Sequence, residues 1–161
     1  MHDFGSAQSI ADELVAESQR GDRKREETAG HNLYAEIHMA RGEWHEAVAP
    51  LEKVLQISQE LGDVGIAARA HTKLARTWLE LGDTVNAAKH VAHVAAERPA
   101  NAELLRLQAR LAAANGDADA AVRLMTEARL LAGETWQKSD DVLLDDYRTR
   151  LPNASQTSTS P

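Results

Sequence analysis

Lys73-Leu74-Ala75-Arg76-Thr77-Trp78-Leu79-Glu80-Leu81-Gly82-Asp83-Thr84-Val85-Asn86-Ala87-Ala88-Lys89-His90-Val91-Ala92-His93-Val94 decides the fold. Before Gly82, the apolar and small residues Leu74, Ala75 and Trp78 recur every three or four positions; after it, Ala87, Val91 and Val94 do the same. That spacing is the helical period on both sides. Gly82 suits the left-handed position that closes a helix, and Asp83 suits the start of the next. So short a link forces the two helices antiparallel. Ala75 and Ala87 are expected to face each other across this hairpin.

The same punctuation recurs along the chain at Gly21-Asp22, Gly42-Glu43, Gly62-Asp63 and Gly116-Asp117. Between these marks the apolar period predicts helices over roughly 7–20, 23–41, 44–61, 64–81, 85–97, 102–114 and 118–132. An eighth, near 136–150, places Trp136, Leu143, Tyr147 and Leu151 on one side. Gly21 to Gly62 is 41 residues, Gly42 to Gly82 is 40 and Gly82 to Gly116 is 34. Two helices per period of that length predict an all-α solenoid of antiparallel helix hairpins, right-handed, with seven to eight helices.

Composition agrees. Apolar residues are 43% of the 161 and aromatics only 4%. An Ala- and Leu-rich core suits closely packed helices, whereas strands favour β-branched and aromatic residues. The charge of -7 from 25 acidic and 18 basic residues argues against bulk nucleic-acid binding. No cysteine is present, which removes disulfides and thiolate chemistry and fits a reducing cytoplasm. No apolar run approaches the roughly 20 residues of a spanning helix, and Met1 to Gly5 do not begin a secretory leader. One domain is expected over 1–151, followed by a disordered polar tail over 152–161.

Three segments resemble the tetratricopeptide-repeat family. The first runs through Leu33-Tyr34-Ala35, Gly42-Glu43-Trp44-His45-Glu46-Ala47, Leu51 and Val54. The second runs through Leu74-Ala75, Trp78, Gly82 to Ala87, Val91, Val94 and Pro99. The third comprises Leu105, Ala109, Ala112, Gly116 to Ala121, Met125 and Ala128. The resemblance covers about residues 28 to 132. It implies small residues where the helices of a hairpin touch, at Ala35, Ala47, Ala75, Ala87, Ala109 and Ala121. It also implies a groove, lined by the first helix of each hairpin, that binds peptides or partner domains. The matching groove positions are Asn32, Glu36 and Met39, then Arg69, Lys73 and Arg76, then Arg106 and Arg110. Some family members clamp a terminal carboxylate with Lys and Asn, and Glu36 departs from that pattern.

Spacing alone puts Arg69, Lys73 and Arg76 on one helix face, and Arg106 and Arg110 on another. The two sets are expected to be neighbours, forming a positive strip for an acidic segment, with Met39 and Leu107 adding apolar contact. No phosphate loop, HExxH or GxSxG motif occurs. His90 and His93, three apart, are the best metal candidates, but zinc needs three or four convergent ligands, so no metal or cofactor is expected. Asp140-Asp141 and Asp145-Asp146 read as a solvated face, and Trp44 and Trp78 as packing residues. The functional expectation is a non-enzymatic protein- or peptide-binding module without nucleic-acid or membrane partners. The alternatives are a homo-oligomerising scaffold and a small-ligand-binding regulator.

Overall fold

The computed structural model describes residues 4–97 and 99–151. The tail at 152–161 lies outside the described residues. The helices are α1 (Phe4–Arg20), α2 (Lys24–Arg41), α3 (Trp44–Leu61), α4 (Val64–Glu80), α5 (Thr84–Glu97), α6 (Ala102–Ala114), α7 (Ala118–Ala132) and α8 (Lys138–Thr149). A single 3-10 turn, Gly133–Thr135, precedes α8. Among the described residues there is no strand, and no helix is long and apolar enough to cross a membrane. The chain divides into two compact units, Met1–Pro99 and Ala100–Pro161.

The junctions explain the helix ends. At the end of α4, Gly82 has φ 75°. Its N–H donates to the Leu79 carbonyl, and the Asp83 N–H donates to the Trp78 carbonyl at 2.9 Å. This pair of bonds satisfies carbonyls that the ending helix leaves orphaned. It recurs at Gly42, Gly62 and Gly116. The following acid then opens the next helix. Asp63, Asp83 and Asp117 each accept the N–H three residues on, from Ile66, Asn86 and Ala120, at 2.9 Å. Glu43 makes no cap bond and instead meets His38 Nδ1 at 2.7 Å.

The first junction differs from its expected form. There Asp22, with φ 50°, takes the left-handed position, and Arg23 N–H donates to the Ser18 carbonyl. Gly21 stands one residue too early, and aspartate tolerates this conformation better than most residues with a Cβ.

In the first unit, α1 to α5 pack in sequence order, each against the next. Ala35, Leu51 and Leu74 form a buried cluster joining α2, α3 and α4, flanked by Met39, Val48, Leu55 and Trp78. In the seam between α1 and α2, a Cβ on Gly30 would lie 2.6 Å from Val15 Cγ2 and 3.3 Å from the Ala11 carbonyl oxygen. Only glycine permits that approach. Glu27 is buried at the same seam and accepts Gln19 Nε2 at 3.2 Å.

In the second unit, α6 packs on α7 and α7 on α8. Ala109, Ala121, Met125, Leu144 and Tyr147 form its core, with Trp136 and Leu143 against it. Trp136 precedes α8 instead of lying within it. The helix starts later because Gln137 and Asp140 form a reciprocal capping box there. All six small positions implied by the repeat resemblance, Ala35, Ala47, Ala75, Ala87, Ala109 and Ala121, are 0% exposed. A methyl side chain at each lets the backbones of a hairpin approach closely.

Candidate binding surface

Two first helices of hairpins, α2 and α4, both pack on α3. This arrangement brings side chains 41 positions apart within reach: Lys73 Nζ donates to Asn32 Oδ1 at 3.2 Å. The same ammonium meets Glu36 Oε1 at 2.7 Å. Three expected groove residues therefore form one linked set. Met39 is half-buried and packs against the α2–α3–α4 cluster.

Arg69 and Arg76 are exposed on α4, one turn to either side of Lys73. Neither forms an ion pair among the described residues. The Lys73 charge is matched by Glu36, whereas theirs is available to an incoming anion.

Arg106 and Arg110 belong to the second unit. Arg106 is committed: Nε and Nη2 both donate to Asp140 Oδ2, at 3.1 and 2.8 Å, and Nη2 also reaches the Thr135 carbonyl at 3.1 Å. Its guanidinium lies 5.5 Å from the Trp136 ring centre, where the ring's electron-rich face favours a cation. Arg106 thus ties α6 to the start of α8. Asp140 is only 8% exposed, so it is a buried anchor and not part of a solvated face. Asp145 and Asp146 do lie in surface pairs, with Arg148 and Arg150. Leu107 is 5% exposed and belongs to the core. Arg110 acts electrostatically on the Tyr147 hydroxyl, whose pKa burial raises.

Away from this surface, three histidines of α4 and α5 come together. His71 Nδ1 and His90 Nδ1 are 2.8 Å apart. The His93 ring stacks on His71, with centres 4.4 Å apart and planes within 12°. His71 is 6% exposed. Burial lowers its pKa and His93 lowers it further, while Glu97 opposes. His90 is brought to about 4, by burial first and then by His71, His93 and Lys89.

The His90–His93 spacing was visible in the sequence, but His71 was not. It comes from the preceding helix, and its approach depends on the hairpin register. Among the described residues, no group of three or more histidine or carboxylate side chains is arranged to hold a metal ion. The chain matches no family model, no curated protein and no solved structure.

Proposed function

We propose that the chain is a protein-interaction module of tetratricopeptide-repeat type, binding an acidic segment of a partner along α2 and α4. The observation that carries this reading is the pair Arg69 and Arg76. Both are exposed and without ion pairs among the described residues, on either side of the Lys73–Asn32–Glu36 set. Arginine suits the role, because its planar fork holds a carboxylate through two parallel hydrogen bonds. Lys73 and Asn32 add donors, while Glu36 repels an anion that approaches out of register. The helical-repeat architecture supports a scaffold role in general, though fold alone does not select a ligand. On this reading the module carries no catalysis of its own, and its cysteine-free sequence supports a cytoplasmic setting.

The test uses paired peptides, one Asp/Glu-rich with a free carboxyl terminus and one with every acid replaced by its amide. The acidic peptide should bind, and salt should weaken it. The Arg69→Glu/Arg76→Glu variant should lose at least tenfold in affinity, about 1.4 kcal/mol, with an unchanged helical spectrum. Equal retention of both peptides, or unaltered binding by the folded variant, would exclude the surface.

One observation favours a second reading, self-association. Leu130, Leu131 and Val142 of the second unit are 80%, 54% and 67% exposed. Light scattering across a hundredfold concentration range separates this from a monomeric module.

A further inference from the structure

We propose that His71, His90 and His93 form a proton-operated latch on the α4–α5 hairpin, closed while the cluster is uncharged or singly charged and opened by mild acid. Two imidazole nitrogens 2.8 Å apart are held by one shared hydrogen, with one Nδ1 donating and the other accepting. A first proton can add to the far nitrogen of the donor ring, and the bond survives. A second must add to the accepting Nδ1 itself. Both facing nitrogens then carry hydrogen, the bond has no acceptor, and two positive rings stand in contact. The stacked His93 gains repulsion in the same way, because its ring lies over that of His71.

The surroundings set the direction. Among the described residues, the charges that act on His71 and His90 come from the cluster itself and from Lys89 and Glu97 of α5, and none from α3. Glu97 alone favours protonation, against burial and Lys89. His93 is exposed and, with Lys89, Ala92 and Ala96, lines a shallow cleft of about 340 Å³. Solvent protons therefore have a direct approach to a cluster whose innermost ring is buried. The other residues buried on α5 are small or β-branched, Ala87, Val91 and Val94, and Ala75 is buried on α4. The seam offers no nearby carboxylate among the described residues, apart from Glu97, to neutralise a second charge. The latch is independent of what the α2–α4 surface binds.

The experiment follows the ring nitrogens of the full chain by NMR from pH 8 to 4.5, together with amide exchange corrected for its intrinsic pH dependence. His71 and His90 should titrate as a coupled pair below the ordinary histidine range. Protection of α5 amides should fall at least tenfold between pH 7 and 5, while that of α2 and α3 falls less. His90→Asn supplies a side-chain N–H to His71 Nδ1 but takes no proton, so it should keep more than half of the α5 protection at pH 5. Independent titration of both rings near 6.5, or an equal loss of protection in α2, α3 and α5, would overturn the latch. So would an unreduced loss in the folded His90→Asn variant. If that variant fails to fold, the wild-type ring titration and exchange pattern decide.

Discussion

Thr77 is 0% exposed on α4, and among the described residues its Oγ1 has no hydrogen-bond partner. A buried hydroxyl without a partner keeps the cost of leaving water and recovers nothing. Thr77→Val has nearly the same shape and no hydroxyl. It should stabilise the protein by about 1 kcal/mol, read as a rise in the urea midpoint, and a fall would reveal an unseen partner. At this scale the sequence was legible where chemistry is local. Glycine at the junctions and aspartate after glycine could be read from neighbours within one or two turns, and the six small alanines from the repeat resemblance. Asp140 could not. It looked like one member of a solvated acidic pair, and only the fold brings Arg106, 34 positions away, onto it. His71 escaped notice for the same reason.

Helices 2 to 7 lie within a few residues of their expected ranges, because each is bounded by glycine, an acid or proline. The end of the chain was less legible. There the capping box at Gln137 and Asp140, not the apolar period, sets where α8 begins. The Arg106–Asp140 tie belongs to this scale. The two side chains are 22% and 11% exposed, so the pair is largely shielded from water. Arg106→Ala should lower stability by roughly 1–3 kcal/mol, because it leaves a mostly buried carboxylate with only part of its partners. Arg106→Lys should recover less than half, since an ammonium cannot reproduce the fork on Asp140 or its reach to Thr135. Urea unfolding measures both. Neither change should weaken an acidic peptide held by Arg69 and Arg76. If Arg106→Ala instead left stability intact and abolished binding, the arginine would be a ligand contact after all.

For the whole molecule, the acid response has a definite sign. His31, His71 and His90 all have lowered pKa values in the folded chain, each with burial as the largest cause. The unfolded chain therefore takes up their protons first as pH falls below the ordinary histidine value of about 6.5. Stability should be full above that value and decline continuously towards pH 4. Asp83, held below its ordinary value chiefly by the Asn86 amide, adds a further loss at still lower pH. A urea midpoint that stays level between pH 7 and 5 would contradict this reading. His31 lies on α2, away from the latch, so part of the loss should persist after His90→Asn.

The short glycine–acid junctions have a consequence for how the chain folds. Because a glycine finishes one helix and the adjoining acid starts the next, both ends are completed by bonds spanning no more than five residues. They need no distant segment to be in place. Helix packing that runs mainly between sequential neighbours keeps loop-closure costs low and folding fast. During synthesis each junction can therefore form as soon as its two helices leave the ribosome, before longer ties such as Asn32 to Lys73 and Arg106 to Asp140 are made.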